Sequence, residues 1–369
     1  RERQSLRISR ALFERAGIGV CMVTGDHPRT ALAIARELGI ASAAEKVVTG
    51  EQFERMTDEQ VRAVMAGGPA TAGRVRVFAR VAPDQKLRIV KAARTAGHFV
   101  AVTGDGANDA PALRAANIGV AMGRGGTDIA RDASDLVITD DNFATIVAGV
   151  AEGRIAYDNI RKVIYLLAST NGAEVIMAVA AVAVGLPLPL LPVQLLWLNL
   201  VTEGMQHVAL AFEPGEDDVK ARPPRRPTEP VFNRLMIERL LVGSLVMGCV
   251  SLGAFWWMLE QGWEVAEARN LLLLLMVLFE NVQIGNCRSE MRSGFSLSPL
   301  RNPLLLLAAL GSVGMHVAAM QWGPLQRLLS TGPVGIQGWA VLAGMALSVF
   351  VAMEIYKLAK RRGQRSVRG

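Results

Sequence analysis

The sequence predicts two domains of different class: an α/β domain with a parallel sheet, followed by an all-α domain of six membrane-spanning helices. Of the 369 residues, 51% are hydrophobic and only 20% are charged, whereas soluble domains carry about 25% charged residues. Before residue 160, short apolar runs alternate with charged amphipathic stretches; after it, the apolar runs reach the length of a membrane span. This composition excludes disordered, collagen-like and coiled-coil proteins.

The first domain is predicted from five strands and three helices. The apolar runs are continuous rather than alternating, which is typical of strands covered on both faces. They lie at residues 19–23, 75–79, 99–103, 118–122 and 136–139. Helices are predicted at residues 28–38, 83–96 and 109–116, and the first two carry proline in their first turn. The alternation of strand and helix predicts a doubly wound α/β domain over residues 1–150.

The second domain is predicted from six apolar segments, each near the length of about 20 residues that crosses a hydrocarbon core. They lie at residues 163–186, 187–212, 240–259, 270–287, 302–326 and 328–353. Three of them contain one acid each, namely Glu174, Glu203 and Glu280, and the other three are uncharged. We therefore expect a membrane domain over residues 163–356, with the lipid bilayer as a partner. Because six is an even number, both ends of this block lie on one side.

The basic residues behind the net charge of +7 predict the orientation. They cluster before the first segment and after the second, fourth and sixth; the loop after the second contains Lys220, Arg222, Arg225 and Arg226. We expect these loops, the α/β domain and a basic tail at residues 357–369 to be cytoplasmic, in a multi-pass plasma-membrane protein. No nucleic acid partner is expected, and usage rich in Ala and Arg indicates a bacterial source. Residues 151–162 contain no proline and are predicted to form a stalk helix that leads into the first span.

A motif for phosphate and metal chemistry follows the third predicted strand, in residues 103–113, TGDGANDAPAL. Polar groups at the carboxyl end of a parallel strand lie where α/β sheets bind ligands. Asp105 and Asp109 offer the carboxylates that Mg²⁺ prefers together with phosphate oxygens. Asn108 is suited to donate a hydrogen bond to a phosphoryl oxygen.

Two further motifs follow strand ends in the same domain. Thr24, Gly25 and Asp26 come directly after the first strand, and Thr24 is suited to bond a phosphoryl group. The run from Phe78 to Lys86 places Arg80 and Lys86 near another strand end, where a lysine acts as a point charge on phosphate. Each motif alone is more often an ordinary turn or a solvated helix residue. Their co-occurrence in one α/β domain favours phosphate chemistry.

Acids inside membrane spans are costly and usually functional, which makes Glu174, Glu203 and Glu280 candidate ion ligands. Other oxygen donors lie at helical spacing from them: Asn171 three residues before Glu174, Asn199 four before Glu203, and Thr202 beside it. Carboxylates and amides from several helices suit a hard cation such as Ca²⁺. Two neighbours of Glu203, Gln206 and His207, fit a place on the ion path and a helix-packing role equally well.

The motif order TGD, FARVAPDQK, VTGDGANDAPAL and then six spans resembles the carboxyl-terminal portion of a P-type cation-transporting ATPase of the calcium-pump-like branch. The resemblance covers essentially the whole chain. It implies that residues 1–150 are the later part of a haloacid-dehalogenase-like phosphorylation domain and that the spans are membrane helices five to ten. The cofactors that it implies are Mg²⁺ and ATP, with the nucleotide domain outside this chain.

The resemblance also implies roles for single residues. In the phosphorylation domain, Asp105 and Asp109 would serve Mg²⁺, and Thr24 and Lys86 would hold the phosphoryl group. Asp26 and Asn108 would orient it, Gly25 belongs to the same catalytic set, and Arg80 would contact nucleotide phosphate. In the membrane, Asn171, Glu174, Asn199, Thr202 and Glu280 fall on calcium-coordinating positions. Glu203 falls where calcium pumps usually carry aspartate, which leaves Na⁺, K⁺ and H⁺ as alternative cargo.

The departures from the family pattern are as informative as the match. The phosphorylated aspartate of the family lies in Asp-Lys-Thr-Gly-Thr, and this sequence contains no Asp-Lys pair. We therefore expect the chain to be the hind part of a pump, inactive alone, with the amino-terminal half as its partner. Thr49, Gly50 and Glu51 imitate the family's dephosphorylation loop but lie inside the α/β domain, where a plain turn is expected.

Two other interpretations remain at this stage. One is a non-catalytic truncated or split membrane subunit that binds cations or a partner. The other is a phosphatase tethered to a membrane, which lacks a nucleophilic aspartate here and would not need acids inside its spans. The pump is the favoured interpretation.

Overall fold

A computed structural model describes residues 2–41, 47–66, 75–225 and 228–366 of the chain. The chain divides into two compact units: the first comprises residues 1–154 and 216–228, and the second comprises residues 155–215 and 229–369. Arg226 of the predicted basic loop and residues 367–369 of the predicted tail lie outside the described residues.

The described part of the first unit contains six parallel strands in two three-stranded sheets. The strands are β1 (Met22–Val23), β2 (Val47–Thr49), β3 (Val77–Ala79), β4 (Ala101–Gly104), β5 (Ile118–Met122) and β6 (Leu136–Ile138). The strand orders are β1-β3-β2 and β4-β5-β6. The prediction of a parallel α/β fold is confirmed, although the strands divide between two sheets. Strand β2 was not predicted because three residues carry too little periodicity to stand out.

Seven helices are described before residue 142. They are α1 (Glu2–Arg15), α2 (Pro28–Glu37), α3 (Gly50–Glu54), α4 (Asp58–Ala66), α5 (Pro83–Thr95), α6 (Ala110–Ala115) and α7 (Asp128–Ala133). Proline at the first turn of α2 and α5 needs no donor there, which explains why both predicted starts are correct. The start predicted at residue 109 was one residue early, because Asp109 ends a short 3₁₀ turn, Ala107–Asp109.

The imitation of a dephosphorylation loop is a helix cap in the structure. The Thr49 hydroxyl accepts a hydrogen bond from the Gln52 N–H at 3.3 Å, and the Gln52 side chain accepts one from the Thr49 N–H at 3.0 Å. This reciprocal capping box starts α3. Phe53 of α3 packs edge-on against Phe78 of β3, with ring centroids 6.0 Å apart, inside one of the cores of the first unit.

The remaining helices of the described chain range in length from five to 41 residues. They are α8 (Phe143–Ala183), which continues from the first unit into the second, α9 (Pro192–Leu196), α10 (Glu203–Ala211), α11 (Arg234–Glu260), α12 (Val265–Cys287), α13 (Pro303–Gln321), α14 (Gly323–Leu329) and α15 (Ile336–Ser366). Single 3₁₀ turns lie at Val219–Ala221, Gly294–Ser296 and Pro299–Arg301. The predicted stalk and first span are both helical as parts of α8.

Four helices among the described residues are long and apolar enough to cross a membrane. They are Phe143–Ala183, Arg234–Glu260, Pro303–Gln321 and Ile336–Arg362. The fourth predicted span is the helix α12, which lies inside the second unit: Leu272, Leu274 and Val277 have no exposed surface. A helix that is apolar on all sides is typically buried in this way.

The second predicted span is interrupted. Between α9 and α10 the chain forms a π-helical stretch, Trp197–Thr202, which widens the helix at the two predicted ligands Asn199 and Thr202. Such π-helical insertions are frequent at functional sites. By contrast, α8 runs unbroken through Gly172. A Cβ at this position would lie 2.5 Å from the Ser244 Oγ, so glycine lets α11 approach closely.

The predicted basic tail begins inside a helix, because α15 extends to Ser366. Two of its basic side chains bond to backbone carbonyls of the segment after α12. Lys357 Nζ donates to the Arg292 carbonyl at 3.0 Å, and Arg361 Nε donates to the Met291 carbonyl at 2.9 Å. The last turns of α15 are therefore hydrogen-bonded to that segment.

Candidate phosphate and cation sites

The first unit contains a cavity of about 300 Å³ at the carboxyl ends of β1 and β4. Its polar lining comes from the strand ends, the 3₁₀ turn after β4 and the first turn of α5: Thr24, Gly25, Lys86, Thr103, Asp105 and Asp109. Its floor is apolar and includes Val23 and Val102. The motifs that the sequence places at strand ends therefore meet at one cavity.

An ion pair crosses this cavity. Lys86 Nζ lies 2.7 Å from Asp109 Oδ1, and the two side chains keep 20% and 15% of their surface exposed. The second oxygen, Asp109 Oδ2, accepts a longer bond of 3.4 Å from the Gly106 N–H. Glycine is required at position 104, because a Cβ there would lie 2.6 Å from the Asp109 Cβ. One side of the site is therefore already charge-balanced by the chain itself.

Three predicted residues do not line the cavity. The Asp26 carboxylate accepts a hydrogen bond from the Thr24 hydroxyl at 3.0 Å, so it contacts a residue of the cavity lining. The Arg80 N–H donates to the Asp26 carbonyl at 3.0 Å, and the residue has a positive φ of 49° with an exposed side chain. Asn108 is exposed on the 3₁₀ turn.

The donor set of the cavity fits Mg²⁺. Asp105 and Asp109 supply two carboxylates at one edge, and Mg²⁺ is usually held by one or two carboxylates with water and phosphate completing its octahedron. When bound, the metal would neutralise charge on a phosphoryl group, and Lys86, which lies beside Asp109, would do the same.

A loop without a predicted role lies beside this site. Backbone N–H groups of Gly123, Arg124 and Gly125 donate to the Asp141 carboxylate at 2.7–3.0 Å, and Arg124 is the main reason that the pKa of Asp141 lies below its ordinary value. Asp141 itself has a positive φ of 52°. The same loop reaches the cavity, since the Thr127 N–H donates to the Asp105 carbonyl at 2.8 Å. The glycine-rich run 123–126 after a strand was the available signal.

In the second unit, the three predicted acids face the interior. Glu174 on α8, Glu203 at the start of α10 and Glu280 on α12 are exposed by only 8%, 1% and 1%. They lie near enough to one another for their charges to interact. None of them forms an ion pair with a lysine or arginine anywhere in the described ranges, so their partners are neutral groups and one histidine.

Two of the predicted neutral ligands contact these acids. Asn199 Nδ2 donates to the Glu174 carboxyl at 3.2 and 3.5 Å, and the Thr202 hydroxyl lies 2.6 Å from Glu280 Oε2. Asn171 is different: its amide bonds to the Leu167 carbonyl of its own helix at 2.9 Å. The structure therefore brings five of the six predicted ion ligands into one group, and Asn171 is bonded outside it.

Two residues join this group without having been predicted as ligands. The Thr170 hydroxyl lies 2.6 Å from Glu203 Oε1, and His207 Nε2 lies 3.3 Å from the same oxygen. His207 thus contacts the group of acids, whereas the Gln206 amide bonds to Ser312 on α13 at 3.1 Å, which is a contact between helices. No sequence pattern indicates Thr170, because its partner lies on another helix.

Among the described residues, no three His, Cys, Asp or Glu side chains form a group that would hold a metal ion by themselves. A cation at Glu174, Glu203 and Glu280 would therefore also need the amide and hydroxyl oxygens around them. Ca²⁺ accepts this kind of mixed oxygen set.

Comparisons with known proteins match both parts of the chain. Residues 7–117 match the family described as haloacid dehalogenase-like hydrolase, and residues 187–359 match the family described as cation transporting ATPase, C-terminus. With the apolar helices, these matches identify a membrane protein.

Individual relatives align with nearly the whole chain. A probable cation-transporting ATPase F of Mycobacterium tuberculosis is 41% identical over 95% of the chain and 38% of its own length. A calcium-transporting ATPase of Bacillus subtilis is 40% identical over 90% of the chain and 36% of its own length. The calcium-transporting ATPase type 2C member 1 of Pongo abelii is 33% identical over 94% of the chain and 37% of its own length. The chain thus spans a little over a third of the length of these relatives.

Proposed function

Because the chain belongs to the family of cation-transporting P-type ATPases, we propose that it is part of an ATP-driven pump that moves a cation across a membrane through an aspartyl-phosphate cycle. The observation that carries this proposal is the group of three buried acids on α8, α10 and α12, which no described lysine or arginine neutralises. Charges that a membrane domain leaves unpaired in its interior are typical of an ion path.

The cavity of the first unit would serve the phosphate steps. Lys86 and Thr24 would bind the phosphoryl oxygens, with Gly25 allowing close approach, and Asp26 would orient Thr24 through their 3.0 Å hydrogen bond. Asp105 and Asp109 would hold Mg²⁺, which neutralises charge on the phosphoryl group. Asn108 and Arg80, both exposed, would contact the phosphoryl group and the nucleotide phosphate of ATP.

The aspartate that becomes phosphorylated would come from a segment outside these 369 residues, which contain no Asp-Lys pair. The sheets leave room for such a segment. Strands β1 and β4 are both edge strands among the described residues, and both contribute to the lining of the cavity. An added strand there would deliver its carboxyl end beside Lys86. The partner would be the amino-terminal half of the same pump.

The expected cargo is Ca²⁺. Carboxyl, amide and hydroxyl oxygens from α8, the π-helical stretch, α10 and α12 form the mixed set that suits this ion, and two of the relatives are named as calcium-transporting ATPases. Na⁺, K⁺ and H⁺ are the alternatives that Glu203 leaves open. The expected location is the plasma membrane of a bacterium, with the first unit in the cytoplasm.

Cation binding by the chain in lipid nanodiscs tests this proposal. We expect ⁴⁵Ca²⁺ to bind, and Glu174→Gln and Glu203→Gln to weaken binding at least about tenfold, because each removes a charge from the site. Glu260→Gln, at the end of α11 where the acid bonds to Trp256, is the matched control. Binding that is equal in all four proteins would contradict the proposal.

A second candidate, a cation-binding subunit without catalysis, is favoured by the missing Asp-Lys pair alone. Coexpression with the amino-terminal half separates the two candidates. Cation-dependent ATP hydrolysis by the assembled protein supports the pump, and cation binding without hydrolysis supports the subunit.

A further inference from the structure

The Glu203 carboxyl is held on one oxygen only. Thr170 and His207 both contact Oε1, at 2.6 and 3.3 Å, and no described residue forms a hydrogen bond with Oε2. Thr170 and Glu203 are 2% and 1% exposed, so water does not compete for this contact. The buried pair therefore determines which carboxyl oxygen remains available to a cation.

The Thr170 hydroxyl is itself held in place. It lies 3.0 Å from the Leu166 carbonyl one turn earlier in α8, as well as 2.6 Å from Glu203. The branched side chain of threonine is restricted to few rotamers in a helix. The hydroxyl has one proton, and Glu203 Oε1 is the nearest acceptor around it, since the Leu166 and Leu167 carbonyls lie at 3.0 and 3.1 Å.

The length of the Glu203 side chain makes this contact possible. Glutamate carries one more C–C bond than aspartate, about 1.5 Å of added length, and with it the carboxyl of α10 reaches α8. Thr170 thus accounts for a glutamate at this position: the neighbouring helix provides an anchor for the longer side chain.

Thr202 and Glu280 form a second contact of the same kind. Thr202 lies 2.6 Å from Glu280 Oε2, and it also lies 2.9 Å from the Leu198 carbonyl one turn back. Glu174 differs, since one Asn199 amide contacts both of its oxygens at the longer distances of 3.2 and 3.5 Å. Glu203 and Glu280 therefore each have one oxygen bonded to a threonine and one oxygen left for a cation. In Glu174, both oxygens contact the same Asn199 amide.

We infer that Thr170 is a positioning residue that makes Glu203 a one-oxygen ligand and thereby narrows the preference of the site for Ca²⁺ over divalent cations that are strictly six-coordinate. This inference rests on the proposed function of the acidic group as a cation site. Ca²⁺ takes six to eight oxygens and uses two-oxygen carboxylates readily, whereas six-coordinate ions such as Mn²⁺ are served by one oxygen from each carboxylate. Removing the Thr170 hydroxyl frees the carboxyl to turn both oxygens toward the ion.

The test compares Ca²⁺ and Mn²⁺ binding to the 369-residue chain in nanodiscs, by ⁴⁵Ca²⁺ retention and by the loss of the free Mn²⁺ EPR signal. We expect Thr170→Ala to raise the ratio of Ca²⁺ to Mn²⁺ affinity about three- to tenfold. Thr170→Ser, which keeps the hydroxyl, should restore the wild-type ratio. If Thr170→Ala only loosened the packing, the affinities for Ca²⁺ and Mn²⁺ would fall together and their ratio would not change.

Ser169→Ala is the matched control. Ser169 is buried in the same turn of α8 and also bonds to the Leu166 carbonyl, but its other partner is Gln283 rather than an acid. If wild type, Thr170→Ala and Ser169→Ala all bind cations with the same ratio of Ca²⁺ to Mn²⁺ affinity, this inference is overturned and the proposed function is not. Failure of the wild-type chain to bind either cation would overturn both.

Discussion

The two candidate sites use acidic residues in opposite ways. In the first unit, Asp109 is part-exposed and paired with Lys86 at 2.7 Å, so the chain itself balances the charge. In the second unit, Glu203 and Glu280 are 1% exposed, and threonine hydroxyls lie at 2.6 Å from them. Hydroxyl groups orient a carboxyl group without neutralising it.

The site of the first unit is therefore balanced before any ligand binds, whereas the site of the second unit needs a bound ligand to balance its charge. The Lys86–Asp109 pair is charge-balanced with or without phosphate, because both partners belong to the chain. A buried acid without a cationic partner is costly, so a bound cation or a proton must compensate it. Three predictions test this contrast, in order of decreasing effect.

The largest loss of stability is expected at Glu213, a buried acid of the second unit that is paired with an arginine. Glu213 Oε1 lies 2.9 Å from Arg288 Nε, and the side chains are 2% and 8% exposed. Glu213→Ala leaves a buried guanidinium without its partner and should lower the unfolding free energy by about 3–5 kcal/mol. Because all six tryptophans lie in the second unit, tryptophan fluorescence during denaturant titration reports this change.

The control for that prediction is an ion pair of the first unit. Glu51 and Arg55 lie 2.6 Å apart with 77% and 78% of their side chains exposed. Glu51→Ala should cost less than about 1 kcal/mol, measured by amide hydrogen exchange in the first unit. Equal losses from the two substitutions would remove the contrast between the two regions.

An intermediate effect is expected at the cavity. Lys86→Met frees Asp109 from its ion pair, so Mg²⁺ affinity should rise about tenfold, which corresponds to about 1.4 kcal/mol, while the affinity for inorganic phosphate falls. Isothermal titration with each ligand measures both changes. Lys91→Met, an exposed lysine on the same helix, should alter neither affinity. A fall in Mg²⁺ affinity in Lys86→Met would show that the pair does not compete with the metal.

The smallest effect is a pH dependence at Asp141. Hydrogen bonds from the backbone of Arg124, Gly125 and Gly123 lower the pKa of this carboxyl, so its stabilisation is present above the ordinary pKa of about 3.9 and is lost as the pH falls through the lower folded value. Asp141→Asn tolerates the same positive φ and removes only the charge.

The melting temperature of the first unit should therefore differ between wild type and Asp141→Asn near pH 7, and the difference should shrink below about pH 4. Asp132→Asn, at an exposed aspartate on α7, is the control. A difference that stays constant from pH 7 to pH 3 would mean that the charge of Asp141 does not stabilise the loop.

Much of the local structure was predictable because it depends on near neighbours in sequence. Apolar runs such as Ile118–Met122 and Leu136–Ile138 became parallel strands, and the prolines at 28 and 83 marked helix starts. The three acids inside apolar segments were recognisable as interior groups, since a charge facing lipid is too costly. The π-helical stretch Trp197–Thr202 had no such signal, because its backbone geometry depends on packing against other helices.

The sequence by itself determined the class of each region, the strand-end motifs and which acids lie inside the membrane domain, since periodicity and the cost of buried charge act through the local chain. Only the tertiary structure decided which side chains meet: Thr170 with Glu203, Thr202 with Glu280, and Asn171 bonded to its own helix. These contacts join residues that are 33 and 78 positions apart on different helices. Helix packing sets such distances, and no local pattern of residues records them.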